Sequence, residues 1–275
     1  MHGCIGNFEP EEPPKPNGGS EPTDVAETAD IDLNNWKVTL PIGDPTEIKP
    51  PAILNYANIE VLQKYMYDDP LEDAIVFFTE PGSTTTNTSY SRTELREQIV
   101  PGSNNFNWTF AQGGNMKGTL RVSRISGAAN NLDRTIVMQI HGRLTDAQRE
   151  LIGASDNNAP PVLKIYWDDG RINVRRKVLK DLNVSDIDLL KKDAWEDDSQ
   201  WFSKEVGNNQ FSLEVDVNAE KMSVTLVGEE TITFNDIHIE KWGVFENYFK
   251  AGNYLQTSNQ GAFSEVKYFA LEVKH

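Results

Sequence analysis

The sequence has little of several features that define common protein classes. Its 275 residues include a single cysteine, Cys4, which excludes a disulfide within the chain and a metal site built from cysteines. No run of about 18 apolar residues occurs, so no segment has the composition of a membrane-spanning helix. The HExxH motif and the calcium-loop motif are also missing. The sequence therefore predicts a fold stabilised by packing alone, with no metal and no cofactor.

Basic residues are also scarce relative to acidic ones. The chain has 26 lysines and arginines against 42 aspartates and glutamates, which gives a formal net charge of −16. No basic stripe with interleaved aromatic residues occurs, and this argues against a nucleic-acid partner. Residues 1–30 hold seven acidic residues, one lysine and five prolines, with almost nothing to bury. This composition predicts a disordered acidic tether over 1–30 and a folded domain over 31–275.

Cys4 lies at the head of the predicted tether and leaves two interpretations open. It is either the lipid-bearing cysteine of a bacterial lipoprotein, with the tether as its spacer, or an incidental residue. The three residues before it, Met-His-Gly, lack the apolar part of a signal peptide. We expect a secreted or cell-surface protein, acting as a monomer.

From residue 31 onward, turn residues separate short segments of alternating polarity. Candidate strands cover residues 36–40, 74–78, 91–98, 118–125, 135–141, 162–167, 171–177, 211–217, 221–227, 231–234, 248–254 and 266–273. Turns are predicted at 168–170 and 218–219, and helical patches at 59–64, 145–151 and 185–192. Many strands, few helices and no βαβ rhythm predict an all-β fold, a two-sheet antiparallel sandwich.

The segment YFKAGNYLQ, residues 248–256, combines an apolar face with an unusually polar one. Read as a strand, it places two phenols, an ammonium group and an amide on one face: Tyr248, Lys250, Tyr254 and Gln256. Gly252 lies between them and lets a ligand approach the backbone. Two interpretations fit this segment alone, the floor of a polar binding groove and an ordinary solvated sheet face.

Two further segments carry polar residues at two-residue spacing. In SRTELREQ, residues 91–98, alternation puts Arg92, Glu94 and Arg96 on one face, where they form either a ladder for an acidic ligand or a cross-strand salt-bridge surface. In TIVMQIHG, residues 135–142, the same argument puts Val137, Gln139 and His141 on one face and Ile136, Met138 and Ile140 on the other.

Taken together, RTELR (92–96), QIH (139–141) and YFKAGNYLQ resemble the signature of the alginate lyases of polysaccharide lyase family 7. The segment IDLNNWKVTLPIG, residues 31–43, resembles that family's first strand, so the resemblance covers about residues 31–275. It implies a β-jelly roll with a substrate groove on its concave sheet. It also implies a lyase that cleaves the 1,4-linked uronate chains of alginate by β-elimination and leaves 4,5-unsaturated ends.

The resemblance assigns catalytic roles residue by residue. Arg92, Gln139 and His141 are expected to neutralise the carboxylate next to the proton that is removed, and Tyr254 to donate a proton to the leaving oxygen. His141 is expected to be the base for guluronate. For mannuronate, Tyr254 would act as both base and acid, and this requires a cation such as Arg92 to lower the pKa of its phenol. In that family, isoleucine at the position of Ile140 in the QIH motif accompanies activity on guluronate-containing blocks, so the resemblance implies a preference for such blocks.

The same resemblance assigns substrate binding to neighbouring groups. Arg96 and Lys250 are expected to hold adjacent uronates, Glu94 to orient the arginines, and Tyr248 to line the groove. The negative charge of the whole protein opposes binding of a polyanion at long range, but salt screens charges beyond about 8–10 Å. A local concentration of cations would therefore dominate.

Two alternatives remain open in the sequence. Glu214 and Asp216 share a predicted strand face and suggest the paired carboxylates of a glycoside hydrolase on the same architecture. A non-catalytic uronate-binding module would need the arginines but not His141 and Tyr254 together. Long connections at 142–160 and 180–209 are candidate lids over the groove, or passive surface insertions.

Overall fold

The computed structural model describes residues 1–2, 29–84, 88–127 and 133–275. Residues 3–28 of the predicted tether, including Cys4, lie outside the described residues, so its predicted disorder stays a prediction. Among the described residues, no helix is long and apolar enough to cross a bilayer.

Strands make up nearly half of the described chain. They are β1 (Asp30–Ile31), β2 (Trp36–Thr39), β3 (Glu47–Ile48), β4 (Met66–Asp68), β5 (Ile75–Thr79), β6 (Arg92–Glu97), β7 (Trp108–Thr109), β8 (Gly114–Ser126), β9 (Arg134–Arg143), β10 (Asn158–Asp168), β11 (Arg171–Leu179), β12 (Trp195–Glu205), β13 (Phe211–Val217), β14 (Met222–Leu226), β15 (Glu230–Phe234), β16 (Glu246–Leu255) and β17 (Phe263–Lys274). The α-helices are α1 (Asp146–Ile152), α2 (Asp186–Leu189) and α3 (Ile237–Trp242), and 3-10 helices cover Ala52–Asn58, Glu60–Leu62 and Lys192–Ala194.

The strands form two sheets that pack face to face, as in a β-jelly roll. The nine-stranded sheet has the order β12-β11-β10-β9-β16-β6-β2-β3, with β7 paired to β16. The eight-stranded sheet has the order β15-β14-β13-β8-β17-β5-β4, with β1 paired to β17. Neighbouring strands are antiparallel except for β1 and β17. The predicted all-β sandwich is therefore confirmed.

The core lies between the two sheets because each sheet turns its apolar residues inward. On β16, Phe249 and Ala251 are fully buried and meet inward residues of the other sheet, such as Val266. Alternate residues of these strands face outward. The outward face of the nine-stranded sheet is the one that carries the polar residues of the three sequence motifs.

The acidic segment predicted as a long connection over 180–209 is largely structured. It contains α2, a 3-10 helix and the whole of β12. Its strand was missed because nine of its eleven residues are not buried, so no alternation of apolar residues marks it. Pairing with β11 supplies the missing signal, since Lys177 lies opposite Asp197 and Arg176 opposite Asp198.

The connection predicted over 142–160 is also shorter than expected. β9 continues to Arg143, α1 occupies Asp146–Ile152, and β10 begins at Asn158. Helix α1 begins at a capping box, in which the Thr145 hydroxyl accepts a hydrogen bond from the Gln148 backbone N–H and the Gln148 side-chain oxygen accepts one from the Thr145 backbone N–H.

One predicted face is wrong. Val137 does not share the outward face with Gln139 and His141, because a bulge shifts the register of β9 between Ile136 and Met138. Val137 joins the core, and Ile136 lies opposite Tyr254 on the outward side. A bulge inserts one residue and reverses the alternation beyond it, so a strict period of two fails there.

Candidate active site

The three sequence motifs lie on strands that are neighbours in the nine-stranded sheet. β16 runs between β9 and β6, and Lys250 lies opposite Gln139 on one side and Arg96 on the other. Directly opposed residues of antiparallel strands point to the same face. The alternation predicted for each motif therefore adds up to one continuous polar surface.

Glu94 is the centre of this surface. Its carboxylate is almost fully buried, forms an ion pair with Lys250 and accepts a hydrogen bond from Gln139 Nε2. Arg92 Nε lies 3.9 Å from the same carboxylate. Glu94 was expected to orient the two arginines, but its closest partners are Lys250 and Gln139. The Glu94 carboxylate thus fixes the side chains of Gln139 on β9 and Lys250 on β16.

Arg96 is held by a loop. Its Nη2 donates to the backbone oxygen of Asn104 at 3.2 Å and to Asn107 Oδ1 at 3.4 Å. Its guanidinium lies 3.9 Å from the centroid of the Tyr248 ring, and the His141 ring is stacked on Tyr248 with the centroids 5.2 Å apart. The two asparagine oxygens that accept from Arg96 carry no formal charge, so Arg96 keeps its positive charge toward the groove.

The tautomer of His141 follows from its hydrogen bond. Nδ1 lies 2.9 Å from the backbone oxygen of Gly142, which can only accept, so Nδ1 carries the proton and Nε2 keeps its lone pair. Burial lowers the pKa of His141 to about 3, and the charges of Lys250, Arg92 and Arg96 act in the same direction. The imidazole is therefore neutral at pH 7.

Tyr254 lies next to Arg92, whose guanidinium is 5.4 Å from the centroid of the phenol ring. Burial raises the pKa of Tyr254 to about 12, and Arg92 only partly opposes this effect. Arg92 thus acts on this pKa in the direction that the sequence argument required, but burial outweighs it in the free protein. Tyr254 is a neutral phenol, suited to donate a proton.

Lys250 is a buried cation, so burial shifts its pKa in the opposite direction from that of Tyr254. Burial lowers the pKa of its ammonium group to about 8, although the Glu94 carboxylate opposes the shift. Arg92 and Arg96 add to the lowering because like charges disfavour the protonated form. Lys250 is therefore charged at pH 7 but close to titration.

A groove of about 310 Å³ lies on this surface and is lined by Arg92, Arg96, Tyr248 and Lys250, among others, whereas Gln139, His141 and Tyr254 do not line it. Asn104 and Asn105 of one loop also line it, as do Asn157 and Asn158 at the start of β10. The latter pair belongs to the connection predicted as a candidate lid. The 98–107 loop was missed, although its cluster of Pro, Gly, Ser and Asn directly after the RTELREQ strand was a usable signal.

A row of five cations and one glutamine crosses the sheet at right angles to the strands, and sequence reasoning found only part of it. Successive directly opposed residues, which we call the cationic row, are Lys37, Arg96, Lys250, Gln139, Lys164 and Arg175. Strands in a sheet lie about 4.8 Å apart, so the row extends over about 24 Å. Lys37, Lys164 and Arg175 were missed because only the pairing of distant strands aligns them with the motifs.

Other candidates lie elsewhere. Glu214 and Asp216, considered as a hydrolase pair, lie on β13 of the eight-stranded sheet, where Glu214 accepts from Asn115 and Asp216 pairs with Lys221. A larger cavity of about 680 Å³, bordered by Trp36 and His275, brings none of the predicted catalytic residues together. Within the described ranges, no three His, Cys, Asp or Glu side chains are grouped to hold a metal ion.

Comparison with known proteins agrees with this geometry. The alginate lyase family model matches residues 31–275. The crystal structure of alginate lyase A1-II', a member of polysaccharide lyase family 7, superposes with a TM-score of 0.71 at 28% identity, covering 88% of this chain and 95% of that one. A variant of that enzyme in complex with product (GGG) gives a TM-score of 0.72 at 28% identity, covering 90% and 99%.

More distant structures share the fold. The alginate lyase PA1167 from Pseudomonas aeruginosa has a TM-score of 0.65 at 22% identity, covering 89% of this chain and all of that one, 100%. No curated protein sequence matches the chain significantly. The match of the family model over nearly the whole described domain, together with two antiparallel sheets, establishes the assignment: this chain belongs to the alginate lyase family and is a polysaccharide lyase with a β-jelly-roll fold.

Proposed function

We propose that the outward face of β6, β9 and β16 performs the β-elimination on alginate. The observation that carries the proposal is the meeting of a neutral imidazole, a neutral phenol and fixed cations on one surface. Removal of the proton at carbon 5 of a uronate shifts negative charge onto the adjacent carboxylate. Groups that stabilise this charge more in the transition state than in the ground state accelerate the reaction.

Arg92 and Gln139 neutralise this carboxylate, whereas the neutral His141 presents a lone pair at Nε2. Gln139 is held by its bond to Glu94, and Arg92 lies beside both Glu94 and Tyr254. Donors that are fixed before the substrate arrives need no reorganisation when charge develops. Glu94 acts as the positioning group for Gln139 and Lys250, rather than for the arginines.

Tyr254 is the general acid that protonates the glycosidic oxygen at carbon 4. Its raised pKa of about 12 keeps the proton on the phenol throughout the neutral range. For mannuronate, Tyr254 as the base would first have to lose this proton, which the free protein disfavours. Cleavage at mannuronate therefore requires the phenol to lose its proton to water in the complex, and Arg92, 5.4 Å from the ring centroid, stabilises the phenolate. The phenolate then takes the carbon-5 proton and passes it to the leaving oxygen.

His141 is the base for guluronate, in which proton and leaving group lie on opposite faces. The Nδ1–H bond to the Gly142 carbonyl leaves Nε2 unprotonated and available. The pKa of about 3 in the free protein makes this a weak base. A bound uronate carboxylate offsets the positive charges of Lys250 and Arg92, and this raises the basicity of the ring in the complex.

The cationic row binds the chain on both sides of the scissile bond. Arg96 and Lys250 hold adjacent uronates, as the resemblance implies, and Tyr248 lines the groove beneath them. The strand spacing of about 4.8 Å is comparable to the length of one pyranose unit. Lys164 and Arg175 extend the same spacing toward β12 and hold more distant uronates.

The activity is tested by adding the protein to alginate and following ultraviolet absorbance of the conjugated 4,5-unsaturated uronate. We expect absorbance to rise with the parent protein, and to stay flat with Tyr254→Phe. A glycoside hydrolase or a non-catalytic uronate-binding module would release no absorbing product. Reducing ends without absorbance would therefore contradict the proposal.

We further propose a preference for guluronate-containing blocks. The support is the resemblance of the QIH motif, because the Ile140 side chain is fully buried and does not reach the groove itself. His141→Asn is expected to reduce kcat on polyguluronate more than on polymannuronate, by at least tenfold. Equal losses on both polymers would instead assign His141 to charge neutralisation.

The remaining parts of the proposal concern the setting of the enzyme. Alginate is an extracellular polysaccharide, so we propose that the protein is secreted or carried at the cell surface and acts as a monomer. Residues 1–30 serve as a tether outside the catalytic domain of residues 31–275. Labelling with a fatty acid tests lipid attachment at Cys4, and light scattering tests the monomer.

A further inference from the structure

The hydrogen-bond ladder between β9 and β16 is interrupted next to the catalytic residues. Ala251 lies opposite Met138, but the next opposed pair is Tyr254 and Ile136. Two residues of β16 therefore span the distance covered by Val137 alone. An irregularity of this kind leaves backbone groups without their ladder partners. It lies between Lys250 and Tyr254, so its geometry sets the separation of the two side chains.

Gly252 makes the irregularity possible. Its φ of +134° is one that residues with a side chain rarely adopt. A Cβ atom at this position would approach the Thr93 carbonyl oxygen to 2.8 Å and Glu94 Cα to 3.0 Å. Backbone of β6 and β16 is therefore in close contact directly beneath the catalytic face.

Tyr268 replaces the missing ladder bonds. It belongs to β17 of the opposite sheet, is fully buried, and reaches across the core. Its hydroxyl donates to the Val137 carbonyl at 2.5 Å and accepts from the Gly252 N–H at 3.3 Å. Burial raises the pKa of this phenol further, so it remains protonated and can donate and accept at once.

The next residue of β16, Asn253, is also hydrogen-bonded to the eight-stranded sheet. Asn253 Nδ2 donates to the Phe77 and Ser264 carbonyls, both at 2.8 Å. Its Oδ1 accepts from Thr135 Oγ1 at 2.7 Å and from Ser264 Oγ at 2.6 Å. Gly252 and Asn253, the two residues between Ala251 and Tyr254, thus both form hydrogen bonds with residues of the eight-stranded sheet. Buried polar networks that are fully satisfied fix one arrangement of the elements that they join.

We propose that Tyr268 is a positioning residue for catalysis, acting through the irregularity between β9 and β16. Its hydroxyl fixes Gly252 relative to Val137, and thereby Tyr254 relative to Gln139. The inference rests on the acid role proposed for Tyr254. Tyr268 does not touch the substrate, because it lies on the inner side of the sheet. Small displacements of reacting groups have large effects on rate, so a contact at this place governs turnover.

The test compares Tyr268→Phe with the parent enzyme on alginate. The phenyl ring keeps its packing against Phe77, whose ring is 5.6 Å away, and only the hydroxyl is lost. We expect kcat to fall at least tenfold and KM to change less than threefold, because Arg96 and Lys250 lie in the regular part of the ladder. A kcat within twofold of the parent value would overturn the proposal.

A matched control separates positioning from loss of stability. Val224→Ala removes buried methyl groups on β14 of the eight-stranded sheet, away from the irregularity. Assayed at a temperature where both variants remain folded, it should retain kcat within twofold of the parent. An equal fall of kcat in both variants would mean that Tyr268 acts only through stability.

Two further measurements keep the outcome interpretable. Tyr254→Phe is assayed beside Tyr268→Phe. Activity in Tyr254→Phe would contradict the role of Tyr254 as the general acid. Full activity in Tyr268→Phe would contradict only the positioning role of Tyr268. If Tyr268→Phe does not fold, nuclear magnetic resonance of the parent protein provides the test. The Tyr268 hydroxyl proton should exchange slowly and show a nuclear Overhauser effect to the Gly252 amide. Rapid exchange of that proton would overturn the proposal.

Discussion

The outward faces of the two sheets carry similar residues but balance their charges differently. On the eight-stranded sheet, Lys267 lies between Asp69 and Glu72, and Arg121 pairs with Glu72 as well. Lys267 and Arg121 together contact two carboxylates, which match their two charges. A polyanion approaching this face would find cations that are already neutralised.

The nine-stranded sheet leaves its cations in excess. Glu94 alone serves Lys250 and Arg92, while Arg96 donates to uncharged oxygens and Arg175 donates to Asn173. A net charge of −16 therefore says little about where an acidic polymer binds. What matters is the local ratio of cations to carboxylates on a single face, since salt screens the distant acidic groups.

The largest difference in kcat between the two faces should follow from removing one tyrosine hydroxyl from each. Tyr254→Phe is expected to lower kcat by about 10²–10⁴-fold, the range for loss of a general acid, with alginate binding retained. Tyr67 on the eight-stranded sheet also has a pKa raised by burial, so Tyr67→Phe is the matched control and should leave kcat unchanged. Ultraviolet assays give kcat, and binding is measured by calorimetry with the inactive variant.

Removal of one arginine from each sheet tests the excess of positive charge. Arg96→Gln should raise KM for alginate about tenfold or more, because hydrogen bonds to charged groups contribute about 1.5–3 kcal/mol. Arg121→Gln, on the neutralised face, should change KM less than twofold. If both substitutions weaken binding equally, the bulk charge of the protein rather than the local excess controls affinity.

The pH dependence should report the titration of Lys250. Its pKa of about 8 lies below the ordinary value, so the ammonium loses its proton and its attraction for carboxylates as pH rises through 8. We expect kcat/KM to fall above about pH 8. Lys250→Arg keeps its charge at all these pH values and should move the fall to higher pH. An unchanged limb in this variant would assign the titration to another group.

The smallest effect should come from the edge of the cationic row. Asp197 pairs with Lys164 at 3.1 Å and with Lys177 at 2.8 Å, and thereby reduces the local charge. Asp197→Asn should lower KM about two- to threefold. Asp198→Asn is the control on the same strand, since Asp198 pairs with Arg176 instead. Initial rates on long alginate chains would detect the difference, and higher KM in Asp197→Asn would contradict it.

The sequence was sufficient to predict the polar faces of β6 and β16, but that of β9 only on one side of its bulge. Alternation along a strand is a local property, so Arg92, Glu94 and Arg96 fall on one face without knowledge of their neighbours. The contribution of Lys164 and Arg175 depends on the register of β10 and β11, which are distant in sequence from two of the motifs. Such register is set by turns, bulges and the whole core, and no single segment contains it.

The protonation of Tyr254 was beyond prediction for a related reason. The resemblance implied Arg92 as its neighbour, yet the direction of the pKa shift depends on how deeply the phenol is buried. Burial is a property of the packed sheet and its loops. Asn253 illustrates the same limit, because its amide is surrounded by groups from β5, β9 and β17 that only the fold brings together.

The charged edge strand β12 has one more consequence. An unprotected sheet edge presents free N–H and C=O groups that can recruit a strand from another molecule and begin aggregation. Here one edge of the nine-stranded sheet exposes Glu196, Lys204 and Glu205, and the other ends in β3, which has only two residues. Neither edge offers a long apolar template. The wide sheet needed to hold a polymer is thereby kept from polymerising with copies of itself.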